Sequence, residues 1–270
     1  MTVKMSDIRK IKLWNVTPDF DPQKGLSEPC LLDYTVDGAD KCVIVLPGGG
    51  YGNRCDDYEG TEIAEEFNKY GISAFVLCYR YGNYKHPIPL EDANRAVRLV
   101  RSMAGDYGYA PDKIAVMGFS AGGHLAATAV TYWDNGRGDG DRVDKMSSRP
   151  DMGILCYPVI TLGNEYTHWG STYNLLGNDF NPETAKTLSC ENAVTEDTPP
   201  CFIWATAADD IVPVKNSLLM AEALSENNVP FELHIYPYGR HGMALAHDDP
   251  HVGTWFGLCV QFIKLHFDKN

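Results

Sequence analysis

No stretch of this 270-residue chain approaches the ~18 consecutive apolar residues that a membrane-crossing helix requires. The opening M-T-V-K-M-S-D-I-R-K-I-K-L-W is broken by charge too often to form the apolar core of a secretory signal, so a cytoplasmic location is expected. There is no C-x-x-C pair, which argues against zinc ribbons and thioredoxin-like redox chemistry. No histidines stand at H-E-x-x-H spacing, which argues against a helix-borne zinc site. The glycine run Gly48-Gly49-Gly50 lacks the G-K-[ST] ending of a phosphate loop. The Gly- and Asp-rich stretch 134–144 lacks the ligand spacing of a calcium loop and reads as solvated loop. Neither internal repeat, low-complexity tract nor linker is visible. Positive charge is scarce as well. Against 36 Asp and Glu stand 23 Lys and Arg, a net charge of -13 that repels phosphate backbones and anionic lipid. Nucleic acid and membrane are therefore not expected as partners, whereas a neutral small molecule or a sugar meets no such barrier. Homo-oligomerisation is left open.

What is present points to one α/β domain over residues 1–270. Short apolar runs recur at Cys42–Leu46, Ala74–Tyr79, Ile114–Met117, Gly153–Tyr157, Cys201–Thr206 and Phe231–Tyr236. Most are continuous rather than alternating, as strands covered on both faces are. The last alternates more and is expected nearer an edge. Helical spacing separates the runs: Leu90, Ala93, Val97 and Val100; Ile63 and Phe67, ending at Gly71; Leu218, Ala221 and Leu224; and Trp255, Leu258 and Phe262. Strand–helix alternation predicts a mostly parallel central sheet flanked by helices, a three-layer sandwich. The first ~40 residues read as antiparallel, with a turn at Asp37-Gly38. Four of the eight cysteines (Cys42, Cys78, Cys156 and Cys201) lie inside strand candidates, where they act as small hydrophobes rather than as a disulfide framework. Residues 161–200 show no clear period and are expected to form a lid or substrate wall.

Gly118-Phe119-Ser120-Ala121-Gly122 is a G-x-S-x-G motif between a strand candidate and a helix candidate. That context is a nucleophile elbow, in which a sharp turn exposes the serine and flanking glycines avoid Cβ clashes. A serine hydroxyl needs a base, so the elbow predicts an acid and then a histidine further along. Asp209 and Asp210 follow the strand candidate Cys201–Thr206 at the sheet edge where open α/β sheets bind ligands. One of the two is equally suited to cap the next helix. His241 lies in the loop after the last strand candidate, downstream of both; His247 and His251 are rival bases. Ahead of the elbow, Val43–Leu46 runs into Pro47-Gly48-Gly49-Gly50-Tyr51. The amides of Gly49 or Gly50, with that of Ala121, are the expected oxyanion donors. This chemistry needs neither metal nor organic cofactor.

The stretches V-I-V-L-P-G-G-G-Y, G-I-S-A-F-V-L-C-Y-R, H-P-I-P-L-E-D-A-N-R-A-V-R-L-V-R, V-M-G-F-S-A-G-G-H-L-A-A, A-D-D-I-V-P-V-K-N-S and H-I-Y-P-Y-G-R-H-G together resemble compact esterases of the α/β-hydrolase superfamily. The likeness is greatest to the bacterial acetyl esterase and acetyl-xylan-esterase-like group. In that group the acid stands four residues before the proline of the V-P element, which here selects Asp209 ahead of Pro213. Pro47 stands where the lipase-like branch carries a histidine. The resemblance implies a Ser120–His241–Asp209 triad hydrolysing short acyl esters, acetyl groups on plant-cell-wall sugars among them. It also places His168, in T-H-W-G-S-T-Y-N-L-L-G, on the lid or substrate wall, beside the wall candidates Tyr51, Trp169, Tyr79 and Tyr81. Two alternatives remain at this point: a peptidase or amidase with the same triad, and a catalytically silent binding protein of the same fold.

Overall fold

The computed structural model describes residues 8–268 apart from Asp139. The first seven residues of the charge-broken N-terminal stretch and one position of the Gly/Asp loop thus lie outside the described residues. Eight strands form a single sheet in the order β1-β2-β4-β3-β5-β6-β7-β8. They are β1 (Lys10–Lys12), β2 (Cys30–Tyr34), β3 (Cys42–Leu46), β4 (Ser73–Cys78), β5 (Ile114–Phe119), β6 (Met152–Cys156), β7 (Cys201–Thr206) and β8 (Phe231–Tyr236). β1–β2 and β2–β4 pair antiparallel, and every other pair is parallel. All six expected strands form, and Phe231–Tyr236 is an edge. The Asp37-Gly38 turn exists, with Gly38 at φ 79°, but β4 lies between the strands it joins, so it is no hairpin.

The continuous apolar runs have a direct cause. In β3, Cys42, Ile44 and Leu46 enter a core shared with α2 (Ile88–Tyr107), α3 (Ala121–Thr131) and α6 (Lys215–Glu226). Val43 and Val45 enter the opposite core with α1 (Glu62–Lys69) and α7 (Thr254–Phe267). Both faces are covered, so no position in the strand can be polar. Phe67 of α1 is fully buried, as are the largest apolar side chains generally, each worth ~1.5–3 kcal/mol of transfer free energy. α1 ends as its glycine signals: Gly71 takes φ 71° and the Ile72 amide bonds back to the Phe67 carbonyl.

Two features depart from the sequence reading. Residues 161–200 are not irregular, for they contain α4 (Trp169–Leu176), α5 (Pro182–Thr187) and a 3-10 turn at Cys190–Ala193. Nor is the Gly/Asp loop simply solvated. Arg95 and Arg98 of α2, both buried, reach out to Asp141, Asp144 and Asp134 and hold it. All eight cysteines are free thiols, Cys30 and Cys55 half-buried and the rest buried. No helix among the described residues is long and apolar enough to cross a membrane.

His124 fastens three parts of the fold. Its Nε2 lies 2.8 Å from the Leu188 carbonyl, which can only accept, so Nε2 carries the proton. Nδ1 therefore accepts from the Tyr51 hydroxyl at 2.9 Å. The elbow helix, the glycine loop and the 161–200 excursion meet on one imidazole. Full burial holds His124 down to about 4. Because this value is depressed below the unfolded one, the neutral ring stabilises the fold fully above ~6.5 and progressively less as pH falls toward 4. Urea unfolding should show up to about 3 kcal/mol less stability at pH 4 than at pH 7 from this group. His124→Gln should flatten the profile over that window, and an equally steep profile in the variant would exclude His124 as its source.

Candidate active site

Four loops at the C-terminal edge of the parallel strands build the site. Ser120 sits between β5 and α3 at φ 53°, ψ -117°, a conformation that L-residues rarely hold and that surrounding packing must enforce. The enforcement is visible. A Cβ on Gly118 would lie 1.9 Å from the Gly122 carbonyl oxygen, and one on Gly122 would lie 2.1 Å from that of Leu46. Only glycine fits at either place, so the motif is a steric requirement of the turn. Backbone bonds complete it: the Ser120 amide donates to the Cys156 carbonyl at 3.0 Å, and the Ser120 carbonyl accepts from Val159 at 3.0 Å.

Asp209 follows β7. Its Oδ1 accepts from the amides of Ile211 and Val212 at 3.0 and 2.9 Å, which leaves Oδ2 for a single partner. That partner is His241 Nδ1, at 2.6 Å. A carboxylate oxygen only accepts, so Nδ1 carries the proton and Nε2 presents a lone pair. Nε2 lies 2.8 Å from Ser120 Oγ. The structure thus brings Ser120, His241 and Asp209 together in an unbroken hydrogen-bonded chain. Asp210 is not in it, and Asp209 does not cap the next helix, whose cap is Val214. Of the rival bases, His251 packs edge-on against Tyr236, and His247 is exposed 3.8 Å from Glu62.

The glycine loop lies beside the serine. The Gly48 amide is taken by Glu59 Oε2 at 2.9 Å. Among the described residues no partner occupies the amides of Gly49, Gly50 or Ala121. Gly49 and Gly50 adopt φ 123° and 64°. The Gly50 peptide is fixed from behind by Asn174 Nδ2, which donates to its carbonyl at 2.9 Å. Unpaired amides of this kind are donors that an anionic oxygen could use.

The wall candidates separate. Tyr51 packs in the core, 2% exposed, with its hydroxyl on His124, so its side chain does not form the wall that the sequence reading gave it. Tyr79 is likewise buried, and its hydroxyl holds the Pro47 carbonyl at 2.6 Å. Tyr81 is half-buried and edge-on to Tyr79. His168 stands at the rim: a Cβ on Gly50 would lie 3.8 Å from its Cε1. It caps α4, with Nδ1 accepting from the Ser171 amide at 3.3 Å and 2.8 Å from the Ser171 hydroxyl. Its remaining proton therefore sits on Nε2. Burial, and after it the nearby His241, hold His168 below the usual histidine value. Trp169 is 44% exposed and stacks on Tyr173 at 5.6 Å. It lines a cavity of about 530 Å³ together with Asn164, Phe180, Lys186 and Glu191. A second hollow of about 510 Å³ opens against His241, lined by Tyr58, Ile211, Arg240 and Met243.

Sequence reasoning missed Asn174, Glu59 and Tyr157, none of which falls in a catalytic motif. The ring of Tyr157 packs edge-on to His241 with centroids 5.0 Å apart. Among the described residues no group of three His, Cys, Asp or Glu side chains is arranged to hold a metal.

With this geometry in place, comparison with known proteins is informative. Residues 32–224 match the family model described as BD-FAE. The chain is 42% identical over 220 residues to an endo-1,4-beta-xylanase B of Butyrivibrio fibrisolvens, covering 80% of this chain and 34% of that protein. It is 32% identical over 268 residues to an acetylxylan esterase of Xylanibacter ruminicola, covering 98% and 51%. The chain thus spans about a third and about half the length of these two curated relatives. A crystal structure of an acetyl ester-xyloside bifunctional hydrolase from Caldicellulosiruptor lactoaceticus superposes with a TM-score of 0.91 at 46% identity, covering 95% of both chains. The sheet order, the elbow and the match over most of its length make this chain a member of the BD-FAE family of α/β-hydrolase esterases.

Proposed function

We propose that this chain is a serine esterase that removes acetyl groups from xylan-derived sugars through a covalent acyl-enzyme. The observation that carries the reading is the hydrogen-bonded run from Asp209 Oδ2 through His241 to Ser120 Oγ, at 2.6 and 2.8 Å. Ser120 Oγ attacks the ester carbonyl while His241 Nε2 takes its proton, and Asp209 stabilises the imidazolium. The amides of Gly49 or Gly50 and of Ala121 hold the oxyanion. His241 then protonates the leaving sugar hydroxyl, and water repeats the sequence in reverse to release acetate. Every step is covered by side chains and amides already in place. This complete alignment argues against the catalytically silent alternative.

The acetylated-sugar preference draws support from the likeness to the acetylxylan esterase and to the acetyl ester-xyloside hydrolase. Two features of the rim fit it. The Nε2 proton of His168 is free to donate to a sugar hydroxyl next to the ester. The exposed face of Trp169 offers a sugar ring an aromatic surface. Residues 161–200 form the substrate wall in this reading.

Ser120→Ala should lower kcat on an acetyl aryl ester at least ~10⁴-fold, with the thermal transition preserved. A fluorophosphonate probe should label the parent enzyme at Ser120. Turnover retained by the variant, or label elsewhere, refutes the triad. His168→Ala should reduce kcat/KM about fivefold on acetylated xylo-oligosaccharides, the weight of one neutral hydrogen bond, and leave aryl acetate within twofold. Equal losses on both substrates would remove His168 from sugar recognition.

A further inference from the structure

Glu59 is a buried carboxylate, 2% exposed, that the triad chemistry does not use. It sits in the π-helical turn Asp57–Thr61, just before α1. Turns of this kind insert an extra residue and re-aim a side chain, and they gather at functional sites. Here Glu59 points inward, between two of the loops that make the site. Oε2 accepts from the Gly48 amide at 2.9 Å, one residue before the unpaired amides of the glycine loop. Oε1 accepts from the Tyr157 hydroxyl at 2.7 Å. That hydroxyl in turn accepts from the Ala244 amide at 3.0 Å, three residues beyond His241 in the base's own loop. Ala244 holds φ 48°, a conformation that needs outside support in a non-glycine residue.

Both neighbours of the carboxyl group are donors. The Gly48 N–H has no other role, and the Tyr157 O–H finds its acceptor only in Glu59, since Ala244 is itself a donor. Acceptor oxygens on both sides are what an ionised carboxylate supplies. Burial opposes this charge and raises Glu59, while Tyr157 and Gly48 pull the other way; the one ionic influence on it is His241. Among the described residues no ion pair joins it to a Lys or Arg. A buried anion without a resident cation is costly. A positive charge on His241 during turnover would offset part of that cost.

We propose that Glu59 is a positioning residue for the esterase reaction: it ties the oxyanion loop to the histidine loop through Tyr157, and its negative charge favours the protonated form of His241. This rests on the esterase reading above. The other titratable groups facing His241 are Asp209 after β7, Tyr157 after β6, His168 ahead of α4, Tyr58 and Glu62 from the π-turn and α1, and Arg240, His247 and Asp248 of its own loop. Substituting Glu59 alters the acceptor of Tyr157 and the charge felt by Tyr58, but burial raises both phenols, so neither brings a charge to the site; the charged groups of the set stay as they are.

The test is the pH profile of kcat/KM on an acetyl aryl ester for the parent, Glu59→Gln and Glu59→Asp, with fluorophosphonate labelling of Ser120 run beside it. In Glu59→Gln, kcat should fall about 30-fold with KM within threefold, and the acid limb should move about half a pH unit lower. The sign follows from losing an anion that favours imidazolium. Glu59→Asp keeps the charge but is a methylene short. Its acid limb should stay at the parent position while kcat falls about tenfold. An acid limb unmoved in Glu59→Gln overturns the proposal, because a purely structural role would lower kcat without displacing the limb. If Glu59→Gln loses its cooperative thermal transition, Glu59→Met takes its place as the neutral variant and is read by the same criterion, a lowered acid limb supporting the proposal and an unmoved one overturning it; parent-like kcat in Glu59→Asp overturns it in either case. Absence of label at Ser120 in the parent defeats the esterase reading and the proposal with it. Normal labelling with no effect at Glu59 defeats the proposal alone.

Discussion

The close seating of the elbow against the end of β3 is the contact on which the site depends. Gly122 packs so tightly on the Leu46 and Pro47 carbonyls that a single methyl would overlap both. This seats the start of α3 against the end of β3 and the beginning of the glycine loop. β3 and β5 are parallel neighbours, with Leu46 opposite Gly118, so their C-terminal ends finish level. Parallel register therefore brings Ser120 and the glycine loop to the same edge of the sheet. The acid and base arrive by the same rule, since β7 and β8 extend the sheet in the same sense. A strand reversed anywhere between β3 and β8 would carry one participant to the wrong edge.

The electrostatics of the site are confined to its interior. Exposed charges, which water and salt screen, count for less here than buried ones. Inside, the charges that bear on His241 are two carboxylates held in different ways. Asp209 is met by two backbone amides and an imidazole proton, a full set for an anion. Glu59 is met by an amide and a phenol, fewer and weaker donors. Burial lowers both His124, to about 4, and His168, and so disfavours a proton on either ring.

How much of this was legible beforehand depends on the length scale of each signal. The strands were visible because burial on both faces forbids polar residues over five or six positions in a row. The elbow was visible because its steric demands fall on adjacent residues. Asp209 over Asp210 needed the resemblance through Pro213, since both aspartates stand at the same strand end. The helices of 161–200 were not seen: α4 and α5 span eight and six residues, two turns or less, too short for a periodic stripe. Their caps did leave a trace, as Asn181-Pro182 is a cap followed by proline at the first helical position. Tyr51 is a wall candidate in the sequence, where nothing separates wall from core packing. Its φ of 56° turns it instead into the core toward His124. Glu59 could not be found from spacing at all, because its partners lie 11 and 98 residues away.

The pinning of the excursion bears on how specificity is set. A lid that opens on a hinge needs weak contacts to the body beneath it. Residues 161–200 have the opposite. His124 bonds the Leu188 carbonyl, and Asn216 accepts from the Thr161 amide and donates to the Tyr166 carbonyl. At the other end Asn174 grips the Gly50 carbonyl. The excursion is therefore built into the core and bonds the Gly50–Tyr51 peptide of the glycine loop through Asn174. In the esterase reading, replacing Asn174 would loosen that loop together with α4, so selectivity and rate are mechanically linked at this residue. Trp169 and Tyr173 also belong to α4 but face solvent and take no part in the bond to Gly50, so changes to those two side chains avoid that link.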